Sequence, residues 1–180
     1  MGRLIHLNGP LGVGKSTLAA LYADRHPGTL NLDIDLLHRL VGGWREGDGR
    51  THDLLRPLAL AMAAAHLAQG REVVLPQFLD NAAELEAFEQ VASQAGATFR
   101  EVILTGPRDE VIARFQRRTT NPEFDAYNRR LVTALGGESF LTARYDRLAE
   151  FAGRRTAAAF VAVVAGDVEG SYAALLHALA

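Results

Sequence analysis

One stretch limits the possible folds of this chain more than any other: Gly9-Pro10-Leu11-Gly12-Val13-Gly14-Lys15-Ser16-Thr17, set between a short apolar run at 3–8 and a segment with helical spacing. A glycine, four further residues and then Gly-Lys-Ser is the spacing of a phosphate-binding loop. Its glycines let the backbone turn with successive N–H groups aimed into one concavity. The helix behind it adds unpaired N–H donors and the positive end of a dipole. Both flanks suit that reading. Arg3 to Asn8 reads as a buried strand, and Leu18, Leu21, Tyr22 and Arg25 share one helical face with Ala19 beside them. The expected cradle is Gly9, Leu11, Gly12, Val13, Gly14, Lys15, Ser16 and Thr17. Lys15 would bridge the β- and γ-phosphates of ATP or GTP, and the Ser16 hydroxyl would ligate Mg²⁺.

Strand and helix signals then alternate to the end of the chain. Strands are expected at 29–33, 73–75, 99–104 and 158–164. Helices are expected at 35–41, 54–69, 81–95, 109–118, 125–135, 139–152 and 168–179, with polar Gly-rich loop at 44–52 and a break at 119–122. This alternation predicts an α/β fold of three layers, a five-stranded parallel sheet with helices on both faces. No composition break marks a linker in the 180 residues, so one domain is expected over 1–180, with a helical lid at about 117–140. The absence of cysteine excludes disulfides, a thiolate nucleophile and a cysteine-built zinc site. A formal charge of −2 gives no footing for nucleic acid, and no apolar run approaches a membrane span. A cytoplasmic monomer or homodimer with a small-molecule partner, and no nucleic-acid or membrane partner, is expected.

Asp33 and Asp35 stand where the second strand should end, near the ligand-binding edge of a parallel sheet. On extended backbone their carboxylates would share a side, Asp33 holding Mg²⁺ through water and Asp35 taking the proton of an attacking hydroxyl. Asp also caps helices well, so one of the two could simply start the helix near Leu36. Arg114, Arg117 and Arg118 form a stripe beside the apolar face of Val111, Ile112 and Phe115. Such guanidinium groups neutralise a transferring phosphoryl group. Lys15, Asp35, Arg114 and Arg118 are the expected catalytic set. His38, Arg39, Trp44, Arg56 and Gln77 are expected around the substrate, and Asp167 near the adenine; His6 reads as a core histidine.

The loop at 7–17, the Asp33-Ile34-Asp35 strand end and the arginine-rich helix together resemble the P-loop small-molecule kinases of the nucleoside-monophosphate-kinase-like group. Within it the chain looks most like antibiotic phosphotransferases of the chloramphenicol and capuramycin type and the tunicamycin-resistance ATP-binding proteins. The resemblance implies strand order 2-3-1-4-5, a mobile lid, a hydroxyl acceptor deprotonated by Asp35, and lid arginines at Arg114, Arg117 or Arg118. The implied acceptor is a nucleoside antibiotic such as tunicamycin or capuramycin. Alternatives are a metabolic or sugar-nucleotide kinase and a non-catalytic ATP-dependent drug-binding protein. A regulatory GTPase is disfavoured, because the chain lacks the Asn-Lys-x-Asp motif and an Asp-x-x-Gly after the third strand. In one respect the chain departs from the family: Val73-Val74-Leu75-Pro76-Gln77 carries no Asp at the usual magnesium-orienting position.

Overall fold

Strand β1 (Arg3–Asn8) is apolar at successive positions because it lies at the centre of the sheet, covered on both faces. The structure, a computed structural model, describes residues 2–46, 50–119 and 121–180, with side chains for all of these except 46 and 50–52. With β2 (Leu30–Asn31), β3 (Val73–Leu75), β4 (Thr98–Thr105) and β5 (Ala159–Ala162), β1 forms one parallel sheet of order β2-β3-β1-β4-β5. Ile5 pairs in register with Val74 on one side and Arg100 on the other.

Alternate residues of β1 feed two cores. Ile5 and Leu7 meet Leu18 and Tyr22 of α1 (Lys15–Arg25) and Tyr172 and Leu175 of α8 (Val168–Leu179). Leu4 joins the opposite layer, with Leu55 of α3 (Arg50–Leu67), Phe88 of α4 (Ala82–Gln94) and Leu148 and Phe151 of α7 (Glu138–Ala152). His6 is fully buried, as a core histidine should be.

Among the boundaries that differ from expectation, four have a clear local reason. The second strand stops at Asn31, because the Asp33 carboxylate accepts the Asp35 N–H and caps a one-turn helix, α2 (Ile34–Leu37). Helix α3 starts at Arg50 rather than 54. Its first turn is polar and carries no apolar period, and residues 47–49 of the expected loop lie outside the described residues. Helix α5 (Arg108–Arg117) ends one residue early, and Arg118 is extended at φ −60°, ψ 133°. Helix α6 (Pro122–Ala134) opens on Pro122, a residue pre-set for the first helical position, rather than at 125.

Helix α6 turns into α7 through Gly136 and Gly137, at φ 117° and 64°, a backbone that side-chain-bearing residues rarely adopt. It packs through Phe124 and Tyr127 onto Trp44, away from the two main cores. This brings the start of α6 over the segment that follows α2, across one cavity from Asn31 at the end of β2.

Candidate active site

The phosphate loop is closely confined. Gly9, Gly12 and Gly14 take φ of 148°, 92° and 114°. A Cβ on Gly9 would stand 2.8 Å from the Leu104 carbonyl oxygen, and one on Gly12 would collide with the Val111 carbonyl of α5. Lys15 folds back along the loop, donating to the carbonyls of Gly9 at 2.8 Å and Pro10 at 3.0 Å. Burial lowers its pKa to about 8, against the opposing pull of Asp35 and Asp33, so the ammonium keeps its charge at neutral pH.

Asn8 fixes the entry to the loop. Its side-chain carbonyl accepts the N–H groups of Gly9 and Leu79, and its amide donates to the Leu79 carbonyl and to Glu101. One buried side chain thus ties the loop to the segment that follows β3.

Ser16 sits on the first turn of α1 and faces the same cavity as the Asp33 carboxylate, close enough to lower its pKa. Two hard oxygen donors side by side suit Mg²⁺, which tolerates few protein ligands when phosphate and water complete its octahedron. Among the described residues no group of three or more His, Cys, Asp or Glu could hold a metal on its own. Asp33 is a helix cap and not a strand residue, so the two carboxylates do not share a side through strand pleating. Burial raises the Asp33 pKa. Asp35 rises to about 6, through burial first and the neighbouring Asp33 second, with Arg118 and Lys15 opposing.

Asp35 borders two cavities. One, of about 360 Å³, runs along the phosphate loop with Lys15, Gln77, Phe78, Arg114 and Arg118. The other, of about 550 Å³, lies toward Asn31, Asp33, Arg39, Glu123 and Phe124. Arg118 and Ser16 also border both.

The expected arginine stripe separates into three environments. Arg114 presents buried Nε and Nη2 atoms with no hydrogen-bond partner to the loop cavity. Arg117 points to solvent and borders neither cavity. Arg118 has left the helix, and its Nε donates to Asp125 of α6. Sequence reasoning missed a further cation, Arg144 of α7. Its guanidinium lies 4.1 Å over the Phe78 ring, its Nε is buried without a partner, and its charge bears on Lys15. The signal was available: Arg144 interrupts the apolar face of Leu141, Leu148 and Phe151, where a cation needs a reason.

The remaining expected residues divide. Gln77 lines the loop cavity with a nine-tenths-buried side chain that makes no hydrogen bond among the described residues, and its carbonyl contacts His6 Nε2 at 2.9 Å. Arg39 is exposed on the rim of the larger cavity. His38 and Trp44 are buried against Phe124 and Tyr127, with the Arg45 guanidinium 4.7 Å over the Trp44 ring, so Trp44 packs on α6 and is not presented in the cleft. Arg56 pairs with Glu84 at 2.8 Å and borders neither cavity. Asp167 caps α8 by accepting the Gly170 N–H.

No curated protein matches the sequence. Among solved structures, a gluconokinase from Sinorhizobium meliloti 1021 is 21% identical, with 96% of this chain and 91% of that one aligned at a TM-score of 0.59. A deoxyadenosine kinase from M. mycoides is 14% identical over 98% of each chain, at 0.54. The Mycobacterium tuberculosis APS kinase, solved with AMPPNP and APS, is 20% identical over 64% of this chain and 69% of that one, at 0.52. These likenesses establish the P-loop kinase fold, and a sequence-family model matches residues 4–135, which hold the loop, both carboxylates and the arginines of α5. With that match spanning most of its length, the chain belongs to the AAA domain family.

Proposed function

We propose that this protein is an ATP- or GTP-dependent O-phosphotransferase that moves the γ-phosphoryl group onto a hydroxyl of a small molecule. The observation that carries the reading is Asp35, a carboxylate with a pKa of about 6 at the junction of a cation-lined cavity and an acid-lined one. A general base works best when its pKa lies near the working pH. The nucleotide would lie along the loop cavity with Lys15 and Arg114 on its phosphates. Gly9, Leu11, Gly12, Val13, Gly14, Ser16 and Thr17 would form the cradle, with Mg²⁺ held by Ser16 and Asp33. When bound, the ion would neutralise phosphate charge and align the transferring group.

The acceptor would occupy the larger cavity, its hydroxyl on Asp35 and its body against Asn31 and Arg39, with Gln77 on the loop-cavity side of Asp35. Asp35 takes the hydroxyl proton as the new O–P bond forms and the bond to the departing diphosphate breaks. The protein contributes position and charge, with no covalent step of its own. The segment 117–140 would act as the lid that excludes water. A nucleoside antibiotic such as tunicamycin or capuramycin is the proposed acceptor, and antibiotic resistance in the cytoplasm the proposed setting. A metabolic kinase for a sugar acid is the second reading. It is favoured by Arg39, a cation on the acceptor cavity with no carboxylate partner among the described residues.

Mass spectrometry after incubation with ATP, Mg²⁺ and two acceptor panels, nucleoside antibiotics and sugar acids, tests both. One added phosphoryl group on a member of the first panel supports the proposal, and on the second alone it moves the function to metabolism. ATP-dependent binding without any product would reduce the protein to a drug-binding module.

A further inference from the structure

The Arg118 side chain stands between the two cavities, and a residue outside every motif in the sequence governs where it stands. Asp125 is on the first turn of α6 and its side chain is 1% exposed. Both oxygens are used: one accepts Arg118 Nε, the other the Asn121 N–H at 2.9 Å. Arg129, one turn further along α6, donates to the Arg118 carbonyl at 2.8 Å. The backbone and the Nε of Arg118 are thus held by a helix other than the one it follows. Its two terminal nitrogens make no hydrogen bond among the described residues, and the guanidinium borders both cavities.

A buried carboxylate is costly unless paired. Asp125 therefore does more than decorate a helix start: among the described residues it fixes the arginine that borders both cavities. An arginine offers a rigid fork, so anchoring Nε sets the direction of the other two donors. Helix α6 is itself seated by Phe124 and Tyr127 on Trp44 and His38, in the chain segment beside the acceptor cavity. What fills the acceptor side and where the Arg118 fork points thereby share one helix.

We infer that Asp125 is a positioning residue that holds the Arg118 guanidinium for the terminal phosphoryl group of a bound nucleoside triphosphate. The inference rests on the phosphotransferase reading above, and its test needs no acceptor. Isothermal titration with AMPPNP and with ADP, both with Mg²⁺, measures the preference for a third phosphate. Arg118→Ala should cut that preference about tenfold, the scale of one charge-assisted pair. Asp125→Ala should cut it by a similar factor while leaving ADP affinity in place. The double variant should lose no more than either single one, because the two residues act as a unit. Asp125→Asn, nearly isosteric, repeats the measurement if the alanine variant does not fold, with thermal melting to check each protein.

Two results would overturn the inference: wild-type preference in the folded Asp125 variants, or losses in the double variant that multiply. An Arg118→Ala protein with unchanged preference would do the same. A wild-type protein that binds neither nucleotide would end the phosphotransferase reading and this inference with it. Those outcomes differ, since the first three leave nucleotide binding intact.

Discussion

The two cavities that meet at Asp35 are built on opposite plans. The phosphate side takes its cradle from nine successive residues and its remaining cations from α5 and the residue after it; Lys15 is tied down, and Arg114 holds buried nitrogens unpaired. The acceptor side is assembled from segments near 31–39 and 118–125, lined with carboxylates, and roofed by a helix seated on an aromatic cluster. A polyanion needs little more than a nest of N–H groups and positive charge, which a short peptide can encode. Recognition of an acceptor needs groups from distant parts of the chain, so its specificity lies in tertiary packing.

The largest effect expected of any substitution falls at the junction. Asp35→Asn should lower kcat about 10³-fold, the scale of a lost general base, with nucleotide affinity retained. The wild-type rate should rise with pH through about 6, as Asp35 ionises, and fall above about 8, as Lys15 loses its proton. The variant should lose the rising limb. A pH–rate profile with both limbs intact in Asp35→Asn would assign the base elsewhere.

Lys15→Ala comes next. It should weaken nucleotide binding about a hundredfold, the scale of a charged donor on phosphate, by titration calorimetry. Equal losses for ADP and for the triphosphate would place the ammonium on the β-phosphate alone and sharpen the map of the cradle.

The phosphate side was legible because its signal is local: glycine spacing and the strand and helix around it are all neighbours in sequence. Even there the reading was incomplete. Gly12 is outside the motif's required positions, yet α5 lies where its Cβ would be. Gly12→Ala should therefore cost about 2 kcal/mol or more, combining a positive φ with an overlap that backbone must relieve. A denaturant titration would check it, and a neutral outcome would mean that α5 yields.

The acceptor side was legible only in part. Asp35 is singled out by its expected place at a strand end, but the geometry there differs: a cap at Asp33 replaces two extended residues and puts Asp35 in α2. Arg118 read as part of a helical stripe because spacing alone cannot see Asp125, seven residues on, drawing it off the helix. Trp44 read as free because its partners, Phe124 and Tyr127, lie some eighty residues away in sequence. Arg144 breaks an apolar helical face in the sequence, but the ring it covers, Phe78, lies far from it along the chain.

The burial of Asp35, with Asp33 beside it, also predicts a smaller effect, on stability. A carboxyl whose folded pKa is about 6, above its ordinary 3.8, binds its proton more tightly in the folded chain. The folded state therefore loses stability as pH rises from about 4 to about 6, and the penalty persists above that. Asp35→Asn removes it. The variant should melt higher than wild type at pH 8, by about 1 kcal/mol after solvent screening, and the gain should shrink as pH falls from 6 to 4. A gain unchanged at pH 4 would trace to packing and not to charge.

The smallest effect of all is expected at Arg117, which the structure separates from Arg114. Arg114 and Arg117 are three residues apart on one helix, equal in charge and both expected at the nucleotide, with only Arg114 in the expected catalytic set. Only Arg114 brings buried, unpartnered nitrogens to the loop cavity. Arg114→Ala should lower triphosphate affinity about tenfold, whereas Arg117→Ala should stay within about twofold of wild type, since an exposed surface charge contributes little. The pair makes a controlled comparison, because net charge changes equally in both. If the two variants lost affinity alike, long-range attraction would outweigh placement, and both losses would fade together in high salt. If only Arg114→Ala suffers, and does so at high salt as well, direct contact from a buried guanidinium sets the phosphate side apart from the acceptor side.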